Sequence, residues 1–225
     1  MTRFPQTTAT RGSQKWLQVA INEKPDILNA SIRANLTLPA SEQICWLSPL
    51  ADDNCAEYSD QQFLDRLGIQ LSERPLSSFW PQRGPQWDGL GKTTKGQLLL
   101  LEAKAHIPEM VSPPTAAQGA SLARIRRSLD EVQTALKANA EADWAAHFYQ
   151  YTNRMAFLYL LRELNNLPAH LIFICFTHDE DMEGPQSADE WKGAIELLET
   201  YLGLSKNHRL SKYVHHAYVD VRHLL

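Results

Sequence analysis

The sequence predicts an α/β protein with a mixed central sheet flanked by helices. Two apolar runs, at 98–101 and 171–176, suit central strands that are covered on both faces. Between them, apolar residues recur every three or four positions from Leu122 to Leu136, which is the spacing of one helix face. The chain of 225 residues contains no internal repeat and no clear linker, so we expect a single domain spanning 1–225.

The N-terminal part is predicted to be mainly helical. Helical spacing extends over 13–35 and is interrupted before Pro25, a residue that suits the first position of a helix. A short strand is predicted at 44–47. From 58 to 67 the spacing is helical again, and Gly68 is a suitable C-terminal cap.

A hairpin is predicted in the middle of the chain, after a proline-rich, irregular stretch at 75–85. Its first arm is 87–92, its turn is 93–96 and its second arm is 97–106.

Helices should dominate the part that follows the hairpin. They are predicted at 120–139 and 143–164, and the second is apolar on nearly all sides, which indicates burial. A capping box at 187–190 begins a further helix, and a closing strand is predicted at 213–221.

Composition limits the classes of protein and partner. About 44% of the chain is apolar, which is enough for a buried core. The three cysteines form no C-x-x-C pair, and such an odd, sparse set indicates reduced thiols. The N-terminus lacks the apolar stretch of a signal peptide and no apolar run could span a membrane. We therefore expect a cytoplasmic protein without a membrane partner. Since the net charge is −4, any nucleic acid must be held by a local basic surface.

The most informative residues are Asp88, Glu102 and Lys104. Glu102 and Lys104 are two positions apart on the second arm, so their side chains share a face at the end of a buried run. A charged pair there is costly without partners, which indicates a functional site. The hairpin returns Asp88 to the same end. The alternative is a surface hairpin in which Glu102 and Lys104 only pair with each other.

This grouping suits phosphodiester hydrolysis. Magnesium, with manganese as an alternative, prefers hard oxygen ligands and keeps several waters. The carboxylates of Asp88 and Glu102 and the backbone carbonyl of Ala103 would therefore suffice as its ligands. Lys104 would hold the attacking water or offset the charge on the phosphate oxygens.

The pattern of an Asp, then Glu-x-Lys on the partner strand after an apolar run, resembles the PD-(D/E)xK, or restriction-endonuclease-like, nuclease superfamily. The resemblance implies an αβββαβ core, which we place at 57–176. The segment 1–56 would then be an N-terminal helical addition, and 177–225 would add a C-terminal helix and strand. Trp87 stands where the motif has its proline, in the half of the motif that is degenerate.

The resemblance also assigns roles to residues. It implies that Asp88 and Glu102 are metal ligands and that Lys104 is catalytic. Many members add a Glu from the helix before the sheet, and Glu57 is the best candidate for this catalytic role, with Glu23 second. The alternative for Glu57 is an acidic residue favoured at a helix N-terminus.

Polar residues on the second long helix form another candidate group. Gln150, Asn153 and Arg154 lie on one side of that helix by their spacing. Some members of the superfamily place Gln-x-x-x-Tyr on this helix, and the chain has Gln150-x-x-x-Arg154. Gln150 and Arg154 would support the site or bind a nucleic-acid phosphate, unless they belong to an exposed first turn.

Basic residues outside the site are candidates for phosphate contacts. Arg124, Arg126 and Arg127 lie off the apolar stripe of their helix and would suit nucleic-acid phosphates, and the alternative is a solvated face. Lys92 and Lys95 in the hairpin are ambiguous in the same way.

Three further polar groups have simpler interpretations. The acidic segment 179–181 would be a second metal site or, as we favour, a polar loop. His106 shares the strand face of Lys104, and it either contacts substrate or ends the strand. His215 and His216 point to opposite faces of a strand and cannot chelate one ion together.

The sequence therefore supports two functional hypotheses, and a third possibility is an unrelated α/β binding protein in which the hairpin pattern is accidental. The first is a magnesium-dependent nuclease that acts on DNA rather than RNA. The second is a protein of the same fold that no longer cleaves and serves as a binding or assembly module. The three site residues favour the first and the acidic net charge favours the second, and a homodimer is compatible with either.

Overall fold

Five strands form the central sheet of the computed structural model, which describes residues 2–39, 41–139 and 141–225. The two antiparallel pairs are β2 with β4 and β4 with β5, whereas β5, β6 and β7 run parallel. A separate small sheet pairs β1 with β3. The strands are β1 (Arg3–Phe4), β2 (Ile44–Ser48), β3 (Glu57–Tyr58), β4 (Gly89–Thr93), β5 (Leu98–Lys104), β6 (Ala169–Thr177) and β7 (Val214–Asp220). The predicted α/β class with a mixed sheet is confirmed.

Helices cover both faces of this sheet. Leu99 and Leu101 pack with the first two helices, whereas Leu98 and Leu100 pack with the others, as expected from the alternation of side chains along a strand. The helices are α1 (Gly12–Asn22), α2 (Pro25–Leu36), α3 (Asp60–Leu67), α4 (Leu76–Phe79), α5 (Gly119–Leu136), α6 (Tyr149–Arg162) and α7 (Ala188–Tyr201). Within the described ranges, no helix is long and apolar enough to cross a membrane.

The predicted hairpin is confirmed as β4 and β5. Gly89 lies opposite Leu101, so Asp88 immediately before β4 falls one step further along the register, beside the end of β5. Position 91 in β4 is a glycine for a steric reason, because a Cβ there would lie 2.9 Å from the Trp46 ring. The register therefore brings Asp88 to the end of β5 that carries Glu102.

Two predicted helices begin later than expected. The helix predicted at 58–67 begins at Asp60, because the backbone of Glu57–Tyr58 pairs with β1 instead. The helix predicted at 143–164 begins at Tyr149, because Phe148 has a left-handed φ of 50° that a helix interior does not accept. The burial expected for this helix is confirmed from Tyr151 onwards.

The segment 1–56 is more than the helical addition that we expected. Its strand β2 pairs with β4 and is an integral strand of the central sheet. Its helices α1 and α2 supply the core of one sheet face through residues such as Leu17 and Leu28. The N-terminal segment is therefore part of the same folded unit as the hairpin.

Candidate active site

Charged and amide side chains from four parts of the chain meet at the end of the central hairpin. Glu102 and Lys104 point from β5 towards α6, on the same face as Leu98 and Leu100. The other members are Asp88 before β4, Glu57 on β3, Gln86, and Gln150 and Arg154 on α6.

Glu102 is the most enclosed carboxylate of this group, with a side chain only 1% exposed. Its Oε1 is 2.5 Å from Lys104 Nζ, and its Oε2 accepts a hydrogen bond from Arg154 Nε at 2.7 Å and forms an ion pair with Arg154 Nη2 at 2.6 Å. Burial alone would raise the pKa of Glu102, but the charges of Arg154 and Lys104 lower it below its ordinary value. Glu102 is therefore held as a carboxylate between two cations, and the surface-hairpin alternative is wrong.

All three nitrogens of the Arg154 guanidinium donate hydrogen bonds to acceptors inside the protein. Besides binding Glu102, its Nη2 donates to the Gln86 carbonyl at 2.6 Å and its Nη1 donates to Asn153 Oδ1 at 3.0 Å. Its guanidinium lies 4.8 Å from the centre of the Trp87 ring. Arg154 and Asn153 are buried, so the interpretation of an exposed first turn is wrong for both. We revise the expected role of Arg154 from a phosphate contact to the counter-ion of Glu102.

Lys104 is held in place from two sides. Its Nζ donates to Gln150 Oε1 at 2.9 Å in addition to its contact with Glu102. Burial lowers the pKa of Lys104, but the charges of Glu102 and Asp88 outweigh burial and raise it above the ordinary value. Lys104 therefore stays a cation at the end of β5.

Asp88 carries the least compensated charge of the group. Its Oδ2 accepts a hydrogen bond from the backbone N–H of Ala103 at 2.8 Å. Burial raises the pKa of Asp88 well above its ordinary value, and the charges of Glu102 and Glu57 raise it further. Lys104 and Arg154 offset only part of this effect, so an additional cation near Asp88 would be stabilising.

Glu57 faces the same space from β3. Its Oε1 accepts a hydrogen bond from Gln14 Nε2 at 3.3 Å, and its Oε2 accepts one from Gln86 Nε2. Burial raises the pKa of Glu57 in spite of these hydrogen bonds. The alternative of a helix N-terminal acid is wrong, because Glu57 lies on a strand before α3. Gln14 and Gln86 were missed by sequence reasoning, and only the position of Gln86 two residues before Asp88 was a signal.

Asp88 and Glu57 can be reached from two sides. One opening, which we call the acidic cleft, has a volume of about 620 Å³ and is lined by residues that include Glu57, Asp88, Glu109 and Arg154. The other opening has a volume of about 250 Å³ and includes Glu57, Asp88 and Ala103. Both carboxylates are therefore accessible to a small ligand, in contrast to Glu102.

The donors fit a magnesium ion only in part. Asp88 and Glu57 offer hard oxygen atoms, and the Ala103 carbonyl opens to the same strand edge as its N–H, which meets Asp88. Glu102 would become a ligand only if Lys104 or Arg154 released an oxygen. No group of three or more His, Cys, Asp or Glu side chains in the described part of the chain is arranged to hold a metal ion. The available oxygen donors therefore suit a magnesium ion that keeps most of its water ligands.

Several candidate residues lie outside this group. Arg126 pairs with Asp143 at 2.7 Å, and Arg127 is exposed on the same helix. Arg124 donates to the Ser77 carbonyl at 2.8 Å and lines a different groove. Glu23, the second choice for the additional acid, is exposed after α1.

The hairpin residues Lys92 and Lys95, and also His106, contact residues outside the site. Lys95 is 3.9 Å from Glu42 Oε2 and Lys92 lies near Gly68, so neither joins the site. His106 Nδ1 is 2.7 Å from Glu109 Oε1, in the turn that follows β5.

The polar-loop interpretation of 179–181 agrees with the structure. Asp179 is buried and accepts a hydrogen bond from Trp16 Nε1 at 2.8 Å, whereas Glu180 and Asp181 are exposed. His215 lies against His170, and His216 stacks on Phe173 on the other side of the sheet.

Comparisons with known proteins give no family assignment. No protein-family model, curated protein or solved structure matches this chain. A functional interpretation therefore depends on the chemistry and geometry of the site.

Proposed function

We propose that this chain is a metal-dependent nuclease of the PD-(D/E)xK type that hydrolyses phosphodiester bonds of nucleic acid, DNA rather than RNA. The observation that carries the proposal is the convergence of Asp88, Glu57 and Glu102 with Lys104 at the end of the hairpin. With β3 and the helices α3 to α5 treated as insertions, the chain order α2, β2, β4, β5, α6, β6 supports a restriction-endonuclease-like αβββαβ core. This core would begin in the N-terminal segment rather than at Glu57.

Charge balance supports a role for a divalent cation. Three carboxylates, those of Glu57, Asp88 and Glu102, face only two cations, Lys104 and Arg154. Such an excess of negative charge repels a phosphate. Asp88, Glu57 and the Ala103 carbonyl would hold magnesium or manganese, and Glu102 would stand beside them. When bound, the ion would polarise the phosphate and lower the pKa of a water.

The chain's own residues have distinct roles in this proposal. Lys104 offsets the charge that builds on the phosphate oxygens, and Gln150, which lines the acidic cleft, accepts a hydrogen bond from its ammonium and fixes it. Arg154 keeps Glu102 ionised and fixed, and Gln14 and Gln86 orient Glu57. These hydrogen bonds and ion pairs hold the site residues in position before substrate binds.

The decisive experiment is a cleavage assay with magnesium or manganese on single-stranded, double-stranded and branched DNA and on RNA. We expect the wild-type protein to cleave a DNA substrate, and we expect Lys104→Ala to lower kcat by about 10²–10³, the effect of losing one group that stabilises developing charge. Binding should persist. Lys95→Ala is the matched control, because this lysine lies in the same hairpin and is exposed.

The silent-module hypothesis has one specific observation in its favour. Both oxygens of Glu102 are already bound by Lys104 and Arg154, so the site is balanced at that carboxylate without a metal. A wild-type protein that binds nucleic acid yet cleaves none of the substrates would favour this module. A protein that neither binds nor cleaves would exclude both functions.

A further inference from the structure

A second groove continues from the acidic cleft. This groove, which we call the arginine groove, has a volume of about 1020 Å³ and lies between α3, α4 and α5. Arg83 lines both the acidic cleft and the arginine groove, so the two are neighbours that meet at this residue. Arg124 lies on the wall of the arginine groove.

The loop that carries Arg83 is fixed by α3. Asp60 Oδ2 accepts a hydrogen bond from Arg83 N at 3.0 Å, and Asp60 Oδ1 accepts one from Gly84 N at 2.8 Å. Arg83 has a left-handed φ of 67°, a conformation that a bulky residue adopts at some cost. Its side chain is exposed, and among the described residues no acidic group forms a salt bridge with it. The loop therefore presents the Arg83 cation where the acidic cleft and the arginine groove meet.

Arg124 is presented in a similar way. Its Nη1 donates to the Ser77 carbonyl at 2.8 Å, which anchors the guanidinium at the groove without neutralising it. Arg126 on the same helix is paired with Asp143 instead. The only acid that lines the groove within the described residues is Asp60, whose two oxygens already accept backbone N–H groups.

We propose that the arginine groove binds a single strand of nucleic acid that continues from the acidic cleft, with phosphates at Arg83 and Arg124. The proposal deepens the proposed nuclease function and rests on it for the position of the cut. Each of the two arginines can contact one phosphate, and the groove is also lined by the amides of Gln61, Gln70 and Gln82. These amides suit base edges, which a single strand exposes and which pairing covers in a duplex, so the lining favours one strand.

The test is a binding measurement without metal. A fluorescently labelled oligodeoxythymidylate is titrated with protein in EDTA over a series of salt concentrations, and the dissociation constant is read from anisotropy. We expect Arg83→Gln and Arg124→Gln each to weaken binding and to reduce the slope of log affinity against log salt by about 0.7, the value for one phosphate contact on a single strand. Arg127→Gln, an exposed arginine of α5 outside the groove, should leave affinity and slope unchanged.

Failure of this inference is distinguishable from failure of the proposed function, because EDTA prevents cleavage and cleavage is assayed separately with magnesium. If Arg83→Gln and Arg124→Gln behave like Arg127→Gln, or if the wild-type protein does not bind the oligonucleotide, the strand path is refuted even when cleavage is observed. Equal competition by polyglutamate would refute it as well, since an acidic peptide would then be as good an occupant. Thermal denaturation verifies that the variants are folded.

Discussion

Replacement of Arg154 by methionine tests whether the buried charge network is built as described. Arg154 and Glu102 have side chains that are 4% and 1% exposed, so neither charge is solvated by water. Removing one partner of a buried pair costs about 3–5 kcal/mol, because the other charge stays buried and uncompensated. Methionine preserves much of the hydrophobic packing of the arginine stem, so the loss reports mainly on charge and hydrogen bonding.

The expected magnitude follows from the contacts that remain. Arg154→Met removes the hydrogen bond and the ion pair to Glu102 Oε2 and leaves the Gln86 carbonyl without this donor, but Lys104 still binds Glu102 Oε1. We therefore expect the lower end of the range, about 3 kcal/mol. For a chain of this size that corresponds to a fall in Tm of about 6–12 °C.

The assay is urea denaturation of four proteins that form a double-mutant cycle. They are the wild type, Arg154→Met, Glu102→Gln and the double variant. The double variant should be more stable than the sum of the single losses predicts, by about 0.5–3 kcal/mol, because neither Arg154 nor Glu102 is then left buried without the other. Arg126→Met is the control, since its pair with Asp143 is exposed and should contribute less than about 1 kcal/mol. Additive losses, or a loss for Arg154→Met as small as that of the control, would refute the reasoning.

Two further predictions concern metal and pH. Magnesium should raise the Tm of the wild type by mass action, Asp88→Asn should remove most of this rise and the exposed Asp181→Asn should keep it; an unchanged rise in Asp88→Asn would place the ion elsewhere. Burial lowers the pKa of His170, His215 and His216 from 6.5 to about 4. The unfolded chain therefore binds more protons between these values, so stability is complete above pH 6.5 and falls as the pH drops towards 4. One histidine shifted in this way costs about 2 kcal/mol at pH 5, and because His170 and His215 contact each other the three contributions are not additive. A flat profile in urea denaturation at different pH values would contradict this.

The strands and the hairpin were predictable because their signals are local. The four leucines of 98–101 are almost completely buried, as an uninterrupted apolar run indicates, and the turn residues fix the pairing of the two arms. Since the register follows from the hairpin, the approach of Asp88 to Glu102 could be predicted as well.

The partners of these residues were not predictable, because they come from distant parts of the chain. Glu57 reaches the site because its strand pairs with the N-terminal residues Arg3–Phe4, and Gln14 reaches it from α1. Helical spacing placed Arg154 on the correct side of α6, but spacing does not say whether an arginine meets a phosphate or a carboxylate. The role of β2 in the sheet also depended on pairing that no local pattern encodes.

The acidic cleft and the arginine groove carry opposite charges, and this difference connects the proposed function with the proposed binding of a single strand. On the two proposals, Arg83 and Arg124 would attract a phosphate backbone to the arginine groove, whereas Asp88 and Glu57 would repel it from the acidic cleft. A strand held in the groove alone would therefore keep its next phosphate away from Lys104. Binding a divalent cation at the carboxylates would reverse that repulsion at one place, since two positive charges offset the excess negative charge of the cluster. The metal would thus have two effects, on the chemistry and on the entry of the strand. A protein that serves only as a binding module would need neither the raised pKa of Asp88 nor the burial of Lys104 beside it.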